Sequence, residues 1–226
     1  MIRIEQLAKA YGSHIVLHDI NLSFEGGMVY GIVGENGSGK TTLFKCITGL
    51  ESHHGTIQSS FHPLKDHIGY LPTDLFFFPK MTGLEYLQLI CNARQVSLKD
   101  IESKNIFDLP LGEYAATYST GMKKKLALTA ILILPNEIFI LDEPYNGVDI
   151  HSNMIITEII HQLKALGKTV LISSHIFSTL RETCDRIHVI EGGTITRSVS
   201  HAEFDALENE MKNFTVREKV NRLGLR

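Results

Sequence analysis

The chain has 226 residues, 43% of them hydrophobic, with a formal net charge of −3. That length suits one large domain or a core with a subdomain, and the mild acidity removes the electrostatic case for a nucleic-acid partner. The longest apolar run, Leu126 to Leu134, is broken by Thr129 and bounded by Lys125 and Pro135, far short of the roughly 18 residues of a membrane span.

Met1 to Glu5 alternates as a strand does, with no basic stretch ahead of an apolar one, so no signal peptide is expected. Ile2 to Leu7 reads as a strand, and Tyr11-Gly12 marks a turn. Ile15 to Leu17 and Ile20 to Phe24 read as two short strands, with Gly26-Gly27 as a hairpin turn before Met28. Met28 to Val33 is an apolar strand running into Gly34-Glu35-Asn36-Gly37-Ser38-Gly39-Lys40-Thr41, which fits G-x-x-x-x-G-K-[ST]. A helix, Thr41 to Leu50, leaves it. Strand, glycine loop and helix make the setting a phosphate-binding loop requires. The glycines let the backbone curl so that N–H groups point inward, and the helix start adds partial positive charge. Lys40 is placed to reach the β- and γ-phosphates, and Thr41 to set its hydroxyl on Mg²⁺. Tyr11, an aromatic on an upstream loop, either stacks on the adenine or is a plain turn residue.

Gly55 to Gln58 and His67 to Leu71 are strand-like. His53, His54, His62 and His67 follow no ligand spacing and read as a solvated surface. Cys46, Cys91 and Cys184 have neither metal nor disulfide spacing, which suits a reducing cytosol. From Thr73 to Pro135 the character changes. Thr82 to Arg94, Leu98 to Phe107 and Gly121 to Leu134 read as helices with no long strand between them, a helical insert in an α/β pattern. Within it, Leu75-Phe76-Phe77-Phe78-Pro79 is a greasy loop, either docked on a partner or buried in the insert. Ser119 is a natural N-cap for the last helix, whose bare N–H groups offer a second anion site around Ser119-Thr120-Gly121. Its rival reading is an ordinary cap. Lys123, Lys124 and Lys125 read as a solvated helix face.

Ile138 to Leu141 is wholly apolar, as a strand buried on both faces is. Ser152 to Leu166 sets Ile155, Ile156, Ile159, Ile160, Leu163 and Leu166 on one helical face, and Gly167 ends it. Thr169 to Ser173 reads as a second buried strand and Phe177 to Cys184 as a helix. Arg186 to Glu191 and Thr194 to Ser198 form a hairpin around Gly192-Gly193. From His201 the chain is helical, then basic and polar.

Three apolar strands end in polar clusters: the phosphate loop, Asp142-Glu143, and Ser173-Ser174-His175. Ligands in open α/β sheets bind at the carboxyl ends of strands, so the three should meet around one nucleotide. Asp142 is then a direct or water-mediated partner of Mg²⁺. Glu143 is free to orient and deprotonate an attacking water. His175 hydrogen-bonds the γ-phosphate or holds that water. A strand-ending turn and a helix cap are the plain alternatives for these residues.

From Ile2 to about Leu207 the chain resembles the ATP-binding subunit of an ATP-binding cassette (ABC) transporter. The resemblance rests on Gly34 to Thr41 as Walker A, Ile138 to Asp142 as Walker B, Glu143 as the catalytic glutamate, Asn146-Gly147-Val148-Asp149 as the D-loop and His175 as the switch histidine. It implies an α/β fold: a P-loop NTPase (RecA-like) core with an antiparallel β subdomain, residues 1–72 and 136–226, and an inserted α-helical subdomain, residues 73–135. It implies ATP and Mg²⁺ as cofactors, with catalysis by Glu143, His175 and Lys40. ATP contacts then fall to Tyr11, Gly34, Asn36, Gly37, Ser38, Gly39, Lys40, Thr41 and Thr42, and metal contacts to Thr41, Asp142 and Thr73. Ser119, Gly121 and Asp149 would touch ATP across a head-to-tail homodimer or pseudo-symmetric heterodimer. The partner is an integral membrane permease, which places the chain in the cytoplasm, peripheral on the inner face of the membrane.

Two departures stand out. Tyr118-Ser119-Thr120-Gly121-Met122 replaces Leu-Ser-Gly-Gly-Gln, keeping the serine and second glycine, and its Ser-x-Gly-Met-Lys form resembles bacterial export cassettes. Thr73 stands where the family carries the Q-loop glutamine. Rival readings are a non-transport cassette and a regulatory module that binds ATP without turnover.

Overall fold

A computed structural model describes residues 1–97 and 99–212. The basic, polar stretch expected at the end of the chain lies largely outside the described residues.

Two sheets form the frame. The smaller has three strands, β1 (Ile2–Tyr11), β2 (His14–Phe24) and β4 (His54–Ser59), antiparallel in the order β2-β1-β4. The larger has six: β3 (Val29–Val33), β5 (Ile68–Leu71), β6 (Ile138–Asp142), β7 (Thr169–Ser173), β8 (Arg186–Glu191) and β9 (Thr194–Ser200). Their order is β5-β6-β7-β3-β8-β9, parallel except for β9, which closes a hairpin with β8. The helices are α1 (Lys40–Ile47), α2 (Gly83–Ala93), α3 (Ile101–Lys104), α4 (Thr120–Ile133), α5 (Ile150–Ala165), α6 (Phe177–Thr183) and α7 (Phe204–Lys212).

The wholly apolar strands are buried on both faces because the large sheet separates two cores. In β6, Ile138 and Ile140 join one cluster while Phe139 and Leu141 join the other. This is the period of two that a pleated strand imposes. The Ile138 face meets Leu43 and Phe44 of α1 and Ile4, Leu17 and Phe24 of the small sheet. The Phe139 face meets Leu126 and Ala130 of α4 and Ile156 and Ile160 of α5. Each such side chain contributes about 1.5–3 kcal/mol relative to exposure.

Some local expectations are corrected. The two short strands before Phe24 are one, β2. Gly26-Gly27 is not a hairpin turn, because β3 pairs with β7 and β8 in the other sheet. Leu98 to Phe107 yields only the single turn α3, with Leu98 itself outside the described residues. Its interior Asp100 lies at φ 52, and Asn105 spends its side chain on the backbone of Leu109 instead of extending a helix. On α5, Ile156, Ile160 and Leu163 are buried, but Leu166 is exposed where Gly167 turns the chain.

His188, on β8, is buried, stacked on Tyr30 at 5.8 Å between centroids and edge-on to Phe24. Its Nδ1 meets Ser198 Oγ at 2.7 Å, while its buried Nε2 has no partner. Burial, aided by the Arg186 charge, pushes the imidazole down to about 4. The unfolded imidazole titrates near 6.5. Its folded value is lower, so the stability it allows is present above 6.5 and lost as pH falls toward 4. We expect about 2 kcal/mol of this loss between pH 7 and pH 5. Urea melts at both pH values check it: His188→Phe should flatten that part of the slope.

Candidate active site

The large sheet sets β3 beside β7 and β7 beside β6, pairing Ile32 with Ser173 and Ser173 with Asp142. The carboxyl ends of three strands therefore meet, and β5 adds Thr73 just beyond its end.

The glycine loop turns from β3 into α1. Gly39 adopts φ +110, and a Cβ there would lie 2.6 Å from Cδ2 of Leu17, so glycine alone closes this turn against β2. Lys40 is buried and donates from Nζ to the carbonyls of Gly34 at 2.8 Å and Glu35 at 3.1 Å. Thr41 Oγ1 donates to Oδ2 of Asp142 at 2.7 Å. Ser173 Oγ donates to Oδ1 of Asp142 at 2.5 Å and accepts the Glu143 N–H at 2.9 Å. Asp142 is fully buried and is held by hydroxyls from α1 and β7.

Glu143 lies in the left-handed region at φ 52, a strain on the order of 1–3 kcal/mol. Its carboxylate is held by His175. Oε2 meets His175 Nδ1 at 2.8 Å and accepts the His175 N–H at 3.4 Å. Thr73 Oγ1 donates to the Asp142 carbonyl at 3.5 Å.

A cleft of about 970 Å³ opens here, lined by the loop residues Gly34 to Gly37 and Gly39 to Thr42, by Thr73, Asp142, Glu143, Asn146 and His175, and by His14 and Val16 of β2. Ser38 lines a second cavity of about 760 Å³ shared with β8, β9 and α7, and its buried Oγ has no partner. The donors suit a hard cation: a buried carboxylate with the Thr41 and Thr73 hydroxyls at hand. Among the described residues no group of three or more His, Cys, Asp or Glu could hold a metal.

Four candidates do not line this cleft. Tyr11 is partly exposed, with the Lys9 ammonium 4.7 Å above its ring and its hydroxyl facing Glu51 and Thr42. Ser119 is exposed and caps α4, its Oγ accepting the Met122 N–H at 3.2 Å. Gly121 is buried, and a Cβ there would lie 2.5 Å from the Gly147 carbonyl oxygen. Asp149 caps α5 by accepting the Ser152 N–H at 2.9 Å. Its pairing with Lys125 at 2.6 Å, then the Ser152 bonds, hold its carboxyl far below the usual range.

The sequence assigns three contributors too small a part. Ser173, in sequence only part of a polar strand end, bridges Asp142 and Glu143. Asn146 lines the cleft and also accepts a bond from Lys124. Lys124 is not on a solvated face but is buried. Its spacing was the available signal, since Gly121, Lys124, Leu128 and Ile131 share one helical face and all four are buried.

Residues 17–146 match a sequence profile described as ABC transporter. The chain belongs to the ABC transporter family. Within it, this cassette is the ATP-binding subunit, an ATPase. It is 32% identical to the lantibiotic transport ATP-binding protein SrtF of Streptococcus pyogenes over 92% of this chain and 93% of that protein. It is likewise 32% identical to the bacitracin transport ATP-binding protein BcrA of Enterococcus faecalis, over 96% of this chain and 74% of that one. A solved ATP-binding subunit of an ABC transporter superposes with a TM-score of 0.79 at 23% identity, covering 100% of both chains. A dimeric ATP-binding cassette in a post-hydrolysis state, bound to ADP and Pi, has the same score at 21% identity, over 89% of this chain and 99% of its own. The cassette core and its antiparallel sheet therefore stand as the sequence implied. No helix among the described residues is long and apolar enough to cross a membrane.

Proposed function

We propose that two copies of this cassette, or one copy and a pseudo-symmetric partner, close head to tail on two ATP molecules and so drive a separate integral membrane permease. Each nucleotide is held by Gly34 to Thr41 of one chain and by Ser119 and Gly121 of the other. One observation carries this reading. The exposed Ser119 begins a helix of 14 residues but does not line the cleft of its own chain. Ser119 Oγ takes the Met122 N–H, and the start of such a helix favours an anion, which here would have to come from outside the chain's own cleft.

In the closed site Lys40 leaves the Gly34 and Glu35 carbonyls for the phosphates. Glu143 takes the proton of the attacking water, and His175, already on its Oε2, orients that carboxylate. Mg²⁺, when bound near Thr41, Asp142 and Thr73, neutralises developing phosphate charge. Tyr11 receives the adenine, and Asp149 lies on the loop that faces the partner. Residues 73–135, which carry α2 to α4 and, among the described residues, no strand of either sheet, act as the helical subdomain.

That subdomain also offers a place for the permease. Phe76 and Phe78 are exposed with their rings in edge contact at 5.4 Å, while Phe77 is buried against Tyr86. The exposed pair suits a cytoplasmic helix of a membrane protein and holds the cassette on the inner face of the membrane. The Ser-x-Gly-Met-Lys form of the signature, Ser119 to Lys123, favours export.

Sedimentation with ATP and Mg²⁺ tests the shared site. The native chain should become a dimer. Ser119→Arg should stay monomeric while binding ATP within about twofold of the native affinity, roughly 0.4 kcal/mol. An ATP-dependent dimer from Ser119→Arg would rule out this arrangement.

A further inference from the structure

Lys124 is the one cation of the Lys123 to Lys125 run that the fold buries, at 2% exposure. Its Nζ donates to the carbonyl of Glu143 at 2.6 Å and to that of Asn146 at 3.0 Å. These two carbonyls bracket the turn that follows β6, within which the Asn146 N–H also reaches the Glu143 carbonyl at 3.2 Å. Glu143 is therefore gripped at both backbone ends, by Ser173 on its N–H and by Lys124 on its carbonyl. Its left-handed backbone is held in place while the carboxylate stays in the cleft.

The same stretch of α4 touches this loop twice more. Gly121 packs against the Gly147 carbonyl, and Lys125 Nζ meets Asp149 Oδ2 at 2.6 Å. The helix start and the loop from Glu143 to Asp149 form one connected piece. A buried ammonium is costly, and an aliphatic residue would fill the same space. What the aliphatic residue cannot do is donate to two carbonyls at once.

We propose that Lys124 is a positioning residue for ATP hydrolysis: by clamping the Glu143 and Asn146 carbonyls it fixes the direction of the Glu143 carboxylate and ties it to the helix end bearing Ser119. The proposal rests on the reading of Glu143 as the base. Through it, the phosphate received at the start of α4 bears on the chain's own hydrolytic site.

Full-length Lys124→Met, Lys124→Gln and Glu143→Gln are assayed beside the native chain for ATP affinity and for turnover against ATP concentration. Lys124→Met, close in shape but without donors, should lower kcat at least tenfold with KM and ATP affinity within about twofold. Lys124→Gln, whose amide has two N–H groups, should recover at least a third of native kcat. A merely structural role would lower affinity and melting temperature along with kcat and would not be rescued by glutamine; that result overturns the proposal. So does a Lys124→Met variant with native kcat. If Lys124→Met is insoluble, Lys124→Gln decides alone: recovery supports the clamp, and a rate as low as that of Glu143→Gln with ATP affinity intact overturns it. A Glu143→Gln variant that still turns over at the native rate would instead sink the reading of Glu143 itself.

Discussion

Glu143→Gln is expected to cut ATP turnover by roughly 10²–10⁴-fold, the range for removing a general base. The amide keeps the shape of the carboxylate and can still meet His175 Nδ1, which lies 2.8 Å from Oε2. It leaves Asp142, Thr41 and Lys40 untouched, since none of their side-chain bonds involves Glu143. What it lacks is an oxygen basic enough to take a proton from water. Nucleotide affinity should therefore hold within about twofold, about 0.4 kcal/mol. With hydrolysis blocked, the closed dimer has no route to the ADP state and should accumulate. Moving that equilibrium from 1:99 to 99:1 takes about 5.5 kcal/mol of differential binding, much of which contacts made only across the interface can supply. Phosphate release and sedimentation under saturating ATP and Mg²⁺ measure the two effects. A variant that neither turns over nor dimerises would contradict the shared-site arrangement.

How far the sequence reveals this machinery depends on the range of the interaction. The phosphate loop is legible because its chemistry is local: glycines, lysine and threonine must occur in one short order. Ile138 to Leu141 and Thr169 to Ile172 are legible because burial on both faces leaves an unbroken apolar run. The antiparallel sheet was less clear. Nothing near Gly26-Gly27 shows that β2 and β3 part into different sheets, since partner choice is decided by distant strands. Leu98 to Phe107 has helical residue types, yet Asn105 and the left-handed Asp100 confine it to one turn. Lys124 misled for a related reason. Three lysines in a row look solvated, and only the loop from Glu143 to Asn146, packed against α4, supplies the acceptors that make burial tolerable. The contact between His175 and Glu143 is a matter of side-chain direction at two strand ends, which residue types alone leave open.

Lys40→Ala should lower ATP affinity at least 100-fold, about 2.7 kcal/mol, and turnover with it. The ammonium is already aimed into the loop, 2.8 Å from the Gly34 carbonyl and 3.1 Å from that of Glu35. Without ATP it bridges the very backbone that must wrap the phosphates. With ATP it exchanges two neutral carbonyls for charged phosphate oxygens, and charge-assisted bonds are roughly twice as strong as neutral ones. Alanine removes both arrangements. It leaves the Gly34 and Glu35 carbonyls without that donor, so the empty protein should also melt at a lower temperature. The two effects separate by experiment. Titration with a fluorescent ATP analogue reads affinity, and thermal melts with and without ATP read stability. The native chain should gain melting temperature on adding ATP, as any ligand that binds only the folded state requires. Lys40→Ala should gain almost none at the same concentration. Lys40→Arg keeps the charge but changes its shape from a point to a planar fork, and should fall between the two. If Lys40→Ala binds ATP as tightly as the native chain, the loop is not where the phosphates are held, and the cleft between Gly34 and His175 must serve another ligand.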